Sequence, residues 1–549
     1  MNPLVDAAIY HQKAINIVNF GWLGNKVFFQ APLYPYLLAL FYSIFGTNIE
    51  IIIWIQAGIS VLNVYLIYLL GQRLFDIEIG IFSAVLALLY GVFIFYSVFL
   101  LKVTFSIFFT CLFLLFFLWA SKSPSFGRYF KTGIFFGLCI TLRGNFLLVF
   151  SALALWIIFH SKTHKQNMFY ALGLTLGICL IILPITLRNY YLERDFVLVN
   201  YDAGPSYFIG NNAKANGMYQ TFGVTRPHPR YERKDFTSKA EKVLGRNLKP
   251  SEVSRFWFRM SFQYILEKPL HWLALQYRKT LIYFNNYEKS DNYNYELMKT
   301  TTPILNSGTV SFGVIFVASL TGIAIGRWRC SKFWLFYIFI AAYSTSVILF
   351  YVNSRYRIPL VPALIPFAAW LFIHGLNNFR NSSLKRQVVS ILVAILCSTL
   401  AFRPIKKNDL IDARLNYGGI LEINDRLDEA QFQYKTTLAL APNNPKAHFN
   451  MASLLAKKGK INKAILHYRK TLQLQPYHAQ AKNNLGAIFI KRGQINEAKR
   501  ELLDSIKIQP DYADAHFNLG VLYNWQGNKI LATKEFNLAH QLYQAEKLP

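Results

Sequence analysis

Acidic side chains are scarce in this chain: 28 Asp and Glu stand against 58 Lys and Arg, a formal net charge of +30. Charged residues of either sign make up only 16% of the sequence, against roughly 25% in soluble domains. Cysteines number five. Cys111, Cys139, Cys179 and Cys397 lie inside apolar runs and Cys330 in a short basic loop, so neither a disulfide framework nor a thiolate metal site is indicated. The histidines keep no ligand spacing. No GxGxxG follows a strand-like run, and GxxxxGK with Ser or Thr, HExxH and GxSxG are all missing. Dinucleotide dehydrogenases, P-loop NTPases, zincins and serine hydrolases of the common soluble kinds are thereby excluded. Nucleic acid is excluded as a partner too, because the Lys and Arg are dispersed among short loops instead of gathered on one polar face.

What the chain has in abundance is apolar surface. Of its 549 residues 54% are hydrophobic and 16% aromatic, and the mean hydropathy is +0.26. The apolar residues are bunched into blocks close to the roughly 20 a helix needs to cross a bilayer. The blocks predict spans at about 50–70, 78–97, 103–120, 131–142, 145–160, 168–187, 309–326, 333–352, 357–375 and 387–402. Leu33–Phe45, interrupted by Pro35, reads as an interfacial segment on the membrane surface. The first 30 residues lack the basic start of a signal peptide. Basic loops (Lys122, Arg128 and Lys131; Lys162 and Lys165; Arg327, Arg329 and Lys332; Arg380, Lys385 and Arg386) all fall on one side of this arrangement. The positive-inside rule makes that side cytoplasmic. The expectation is an integral protein of the inner or plasma membrane, in contact with membrane lipids. Residues 1–48 form an extracytoplasmic juxtamembrane segment and 49–402 the membrane domain. The loop domain 188–308 and the C-terminal part 413–549 both lie outside the cytoplasm.

The C-terminal part repeats itself. Pro442, Pro476 and Pro510 are 34 residues apart, as are Ala430, Ala464, Ala498 and Ala532, and Asn416, Asn450, Asn484 and Asn518. Gly418, Ala452, Gly486 and Gly520 keep the same step, and Gly459, Gly493 and Gly527 fall where a turn between paired helices needs no Cβ. This pattern resembles the tetratricopeptide family. The resemblance implies a mainly α chain: a polytopic helical membrane domain followed by a helical repeat array, whose concave face suits a peptide or protein partner.

Further stretches carry a second resemblance. They are Asp6-Ala-Ala-Ile-Tyr10, Ala31-Pro-Leu-Tyr-Pro35, Leu142-Arg-Gly-Asn145, Arg188-Asn189, Gly204 through Asn211-Asn212 to Gly217-Met-Tyr219, Lys279 with Glu288 and Asp291-Asn292, and Arg355-Tyr-Arg-Ile-Pro359. Their order over roughly residues 1–375 is similar to the GT-C class of glycosyltransferases, which includes protein O-mannosyltransferases and aminoarabinose transferases. The resemblance implies a donor sugar on a polyprenyl phosphate and a hydroxyl acceptor on protein, lipid or glycan. The chemistry then needs a base on the acceptor and cations on the leaving phosphate. Asp6 occupies the place of the family's catalytic acid. Arg355, Arg357, Lys102 and Arg143 are candidates for the carrier phosphate, and Tyr10, Asn211 and Asn212 for sugar or acceptor. At the position of Lys102 many relatives carry an acidic residue. An inverting, metal-independent transfer without a cofactor is expected, since no Asp-x-Asp accompanies Asp6.

Two departures qualify the match. The family places a membrane helix before its first acidic loop, and only five residues precede Asp6 here. Protein mannosyltransferases show Asp-Glu where this chain has Asp6-Ala7, which argues against assigning mannose. A ligase of lipid-linked oligosaccharide, and a scaffold of a surface polysaccharide machine without catalysis, remain the other readings at this point.

Overall fold

The computed structural model of the chain describes residues 6–24, 26–159, 164–220, 232–289, 293–306, 309–326, 331–404 and 408–547. Lys162, Asp291, Asn292, Arg327, Arg329 and Cys330 lie outside this set. Among the described residues the regular structure is helical, with no strand, and the chain divides into two compact units, Met1–Ile405 and Lys406–Pro549.

The first unit opens with α1 (Asp6–Phe20), α2 (Leu33–Phe45), α3 (Ile49–Leu74), α4 (Ile77–Leu89) and α5 (Gly91–Ser97). Next come α6 (Val103–Lys122), α7 (Phe126–Leu142), α8 (Phe146–Phe159) and α9 (His164–Glu193). The long polar segment holds α10 (Ala203–Gly210), α11 (Glu232–Leu244), α12 (Pro250–Glu267), α13 (Pro269–Tyr283), α14 (Tyr295–Thr301) and α15 (Pro303–Asn306). The unit ends with α16 (Phe312–Gly326), α17 (Ser331–Ile348), α18 (Ser354–Arg357), α19 (Val361–Arg380) and α20 (Leu384–Phe402).

Each of the ten apolar blocks is helical, but their lengths differ from those of ten uniform spans. Among the described residues five helices are long and apolar enough to cross a membrane, or six if the α4–α5 pair is one span. That pair, expected as a continuous helix, is bent by 59° at Tyr90. Helices such as α8, with 14 residues, rise only about 21 Å at 1.5 Å per residue, short of the roughly 30 Å hydrocarbon core. Pro35 does not interrupt α2, because it sits in the first turn, where a missing N–H costs nothing.

Two devices position the functional site. Helices α7 and α9 cross in close contact through glycines: a Cβ on Gly133 would lie 2.1 Å from the Leu174 carbonyl, and one on Gly177 2.1 Å from that of Phe130. Small residues at such crossings let backbones meet, and here the crossing sets the end of α7, where Arg143 is the C-cap. Buried amides on α3 do the second task. Gln56 accepts from the Tyr34 hydroxyl at 2.7 Å and donates to the Ser97 and Phe99 carbonyls, while Asn63 donates to the Thr104 carbonyl at 3.1 Å. Inside an apolar bundle unpaired polar groups are costly, so these bonds pin the turn carrying Lys102.

The second unit consists of four helix pairs: α21 (Asn408–Ile423) with α22 (Leu427–Leu440), α23 (Pro445–Lys457) with α24 (Ile461–Leu474), α25 (Ala479–Lys491) with α26 (Ile495–Ile508), and α27 (Ala513–Trp525) with α28 (Lys529–Lys547). Gly459, Gly493 and Gly527 take φ of 74°, 70° and 77° between the helices of three pairs, and Asp425 holds the same left-handed conformation in the first. One polar contact recurs with the period of the repeat: Arg414 with Gln433, His448 with His467, Lys482 with Glu501, His516 with Glu535. Each joins the first helix of a pair to the second, so the same bridge is rebuilt with different chemistry in every repeat.

Candidate active site

Helix α1 is fastened to α2 by edge-on packing of Tyr10 against Tyr34, with ring centroids 5.2 Å apart, and by a 2.7 Å bond between His11 and the Tyr42 hydroxyl. This holds Asp6, the first residue of α1, against the start of α18. There Asp6 Oδ2 lies 2.7 Å from Arg355 Nη2, both side chains being about nine-tenths buried. Asn353 caps α18 by accepting the Arg355 N–H at 3.1 Å, and Tyr356 lies under the Arg355 guanidinium at 5.2 Å. Arg143 braces the same turn: its Nη2 donates to the Arg355 carbonyl and its Nε to Ser106 Oγ, both at 3.1 Å.

These groups surround a cavity of about 120 Å3. Asp6, Tyr10, Lys102, Asp202, Arg355 and Tyr356 line it, with Gly144, Asn200 and Tyr219. At about 30 Å3 per water the resting space holds about four waters. The wall bearing Asp202 is made by two loops laid side by side: Tyr201 and Asp202 donate their N–H groups to the Phe28 and Phe29 carbonyls at 3.1 Å. The Asn200 amide donates to the Phe29 carbonyl at 3.2 Å and to the Asp202 carboxylate.

Burial dominates the electrostatics. It pushes the Asp202 carboxyl up to about 6, against the pull of Lys102 and Lys13. It pushes Lys102 down to about 7, assisted by repulsion from Arg143 and Arg355 and opposed by Asp202 and Asp6. Tyr10 is raised well above the usual phenol range, by burial first and then by Asp6, so it stays a neutral donor.

Of the residues singled out from sequence, Asp6, Tyr10, Lys102 and Arg355 come together in the cleft, and Arg143 stands directly behind it. Three others are placed elsewhere. Arg357, expected on the carrier phosphate, is 1% exposed and spent on the protein. It donates to the Tyr283 carbonyl at 2.8 Å, to the Asn285 carbonyl, and to Glu288 at 2.8 Å, and stacks 3.8 Å from the Phe312 ring. Asn211 and Asn212, expected on sugar or acceptor, do not line the cleft. Asn211 is fully buried, donating to the Tyr207 and Leu349 carbonyls and accepting from Trp272 and Lys279. Asn212 donates to the Phe208 carbonyl and caps the next turn through the Lys214 N–H. The sequence reading missed Asp202. A lone acid just before the Gly204 stretch, in a chain poor in acids, was the available signal.

Of the three carboxylates lining the cleft, Asp6 faces Arg355, Asp202 is drawn by Lys102 and Lys13, and Glu232 accepts from the Tyr219 hydroxyl. Ligand atoms of Asp76, Glu78 and His374 also lie within 4.8 Å of one another, but outside the cleft, where Asp76 serves as the N-cap of α4.

Comparison with known proteins bears on both units. Residues 30–186, which include Lys102 and Arg143, match the family described as dolichyl-phosphate-mannose-protein mannosyltransferase. Residues 433–465 and 486–527 match tetratricopeptide repeat families. No curated protein matches the chain. Among solved structures, Pseudomonas aeruginosa PilF is 21% identical over 25% of this chain and 63% of its own, with a TM-score of 0.24. MamA is 20% identical over 30% of this chain and 94% of its own, with a TM-score of 0.23. An O-GlcNAc transferase variant from Thermobaculum terrenum is 22% identical over 24% and 26%, with a TM-score of 0.23. The chain is thus an integral membrane protein whose residues 30–186 match the dolichyl-phosphate-mannose-protein mannosyltransferase family and whose C-terminal part carries tetratricopeptide repeats.

Proposed function

We propose that the chain moves a sugar from a polyprenyl-phosphate carrier to a hydroxyl acceptor on the extracytoplasmic face of the membrane. The observation that carries this reading is the Asp6–Arg355 ion pair in a cleft that also holds Lys102 and Tyr10. A base alone or a cation alone has many uses. A carboxylate paired with a guanidinium beside a buried ammonium supplies both needs of the transfer at one point.

In the resting site Arg355 occupies the carboxylate of Asp6. An arriving phosphate competes for that guanidinium, which binds phosphate and carboxylate alike through paired N–H donors. Donor binding therefore frees Asp6 to accept the acceptor's proton. The acceptor oxygen attacks the anomeric carbon from the face opposite the carrier. The bond from that carbon to the phosphate oxygen breaks, the proton passes to Asp6, and the carrier phosphate leaves with its negative charge facing Arg355 and Lys102. One displacement inverts the anomeric centre. Arg143 acts at one remove, holding the Arg355 backbone and adding positive potential. The scheme uses no metal and no cofactor beyond the donor. The repeats present a protein acceptor or recruit a partner.

A glycan profile of cell envelopes carrying wild type, a deletion and Asp6→Asn, at matched expression, tests the reading. Loss of the same glycan in the deletion and in Asp6→Asn supports it. A glycan lost on deletion but kept by Asp6→Asn refutes the role of Asp6.

A further inference from the structure

Beside the cleft lies a second cavity, of about 300 Å3, and the two share Phe29 and Gln30 as a common wall. Among the described residues four cations line the second cavity, Lys13, Lys26, Arg188 and Arg233, and no carboxylate does. Glu193 sits behind it, accepting the Val27 N–H at 3.3 Å and facing Arg233 at 3.7 Å, and Asp202, Asp6 and Glu232 of the first cavity attract Lys13, so the balancing acids stand outside this concavity. The surface between the cations is apolar, supplied by Ile9, Ile17, Phe28 and Pro35 among others.

Arg188 is held ready in this wall. Its Nε donates to the Leu23 carbonyl at 2.6 Å and its Nη2 to the Lys26 carbonyl at 3.1 Å, with the guanidinium 3.8 Å from the Phe28 ring centre. Lys13 donates to Gln30, the shared wall residue, at 3.1 Å. Burial lowers Lys13 to about 8, against the pull of Asp202, Asp6 and Glu232 and with added repulsion from Arg233. Surplus cations on a basic protein belong in open water, where solvation is cheapest. Four of them converging on one concavity between apolar side chains describe a receptor for an anion with a greasy continuation.

We propose that this cavity is the acceptor subsite, and that it takes an amphipathic molecule whose anionic headgroup, a phosphate or carboxylate, lies close to the hydroxyl receiving the sugar. The designation as acceptor rests on the transferase reading, whereas the binding itself does not.

The test uses the full chain in neutral maltoside micelles and follows its melting as ligand is added. Dodecyl phosphate is the probe, with inorganic phosphate and dodecanol as its two halves. Dodecyl phosphate is expected to stabilise the wild type at concentrations about tenfold below either half. Lys13→Gln/Lys26→Gln raises the half-saturating concentration about tenfold, at about 1.4 kcal/mol per decade, with ligand-free melting unchanged. If that pair melts early without ligand, Arg233→Gln is read in its place and carries the same expectation. Lys102→Gln, which alters only the first cavity, keeps the wild-type concentration.

Equal stabilisation by dodecanol or by inorganic phosphate overturns the amphipathic anion. Loss of the effect in Lys102→Gln, with Lys13→Gln/Lys26→Gln unaffected, puts the anion in the catalytic cleft and overturns the second site. Displacement of dodecyl phosphate by polyprenyl phosphate gives the cavity to the donor and overturns the acceptor assignment. Asp6→Asn retains dodecyl phosphate binding whether or not it transfers sugar, so failure of this inference shows in the melting curves and failure of the transferase reading in the glycan profile.

Discussion

Replacing Arg357 by methionine removes a guanidinium that reaches three acceptors, the Tyr283 and Asn285 carbonyls and the Glu288 carboxylate, from a position 1% exposed. Methionine fills much of the volume, so the cost is electrostatic rather than a cavity. Breaking a buried ion pair by removing one partner costs about 3–5 kcal/mol, because the remaining charge stays buried without its counterpart. The loss can be read as the folded fraction of the purified full chain in mixed micelles of rising dodecyl sulfate content. Glu288→Gln alone leaves the guanidinium two carbonyls and a neutral amide, and the double variant leaves no charge at all. The double variant should therefore lose clearly less than the sum of the singles. Arg355→Met, at a cleft wall and paired with Asp6, should cost less stability while abolishing transfer. An Arg357→Met loss below about 1 kcal/mol, or strict additivity with Glu288→Gln, would refute the assignment of Arg357 as a structural clamp.

Asp6→Asn should lower transfer by about 10²–10⁴-fold, the usual worth of a positioned general base, while leaving donor binding intact; activity within about tenfold of wild type removes it from that role. Stability should also dip between pH 6 and 7. Asp202, raised from 3.8 to about 6, takes up a proton on folding, so its contribution falls as pH rises between those values; Lys102, lowered from 10.5 to about 7, releases one, so its contribution recovers above pH 7. Melting of Asp202→Asn/Lys102→Met across this range should show a shallower dip, and an undiminished dip contradicts the coupling. In the repeats, His467 is held below its usual value by burial and by His448, so its contribution is lost as pH falls. His467→Glu copies the His516–Glu535 bridge of the fourth repeat and should add about 0.5–1 kcal/mol near pH 6, read as slower amide exchange in α23 and α24. Unchanged or faster exchange argues against the equivalence of the two positions.

How much of this was legible beforehand depended on the range of the determining interaction. The repeat array could be read because its period is local and recurs, and even the first turn, with Asp425 for glycine, follows the pattern of the rest. The apolar blocks announced their helices for the same reason. The bend at Tyr90 did not show: Gly91 leaves room there for the Tyr295 hydroxyl, which a Cβ would meet at 2.6 Å, and for Thr309, residues remote in sequence. Arg355 and Arg357 looked equivalent in the sequence, yet two positions apart on a helix do not face the same way. One faces the cleft and the other the protein interior. Asn211 and Asn212 invited a loop reading from their Gly neighbours; only the packing of α13 and the Leu349 carbonyl reveals Asn211 as a buried tie, while Asn212 bonds locally to the Phe208 carbonyl and the Lys214 N–H. Asp202 enters the site because its loop lies along residues 28 and 29, a pairing no local pattern announces.

The ion pair between Asp6 and Arg355 joins the first turn of the described chain to a short helix that is made only after α17. A ribosome delivers these two side chains far apart in time. No nascent fragment ending before α18 owns both halves of the site, however well its earlier helices have settled into the bilayer. Until then Asp6 lacks Arg355, the group that clamps the phosphate in the proposed transfer. On the proposed transfer, competence to handle an activated sugar thus arrives late in biosynthesis, as a property of the finished bundle, and partly inserted chains would be spared from acting on donor lipids around them.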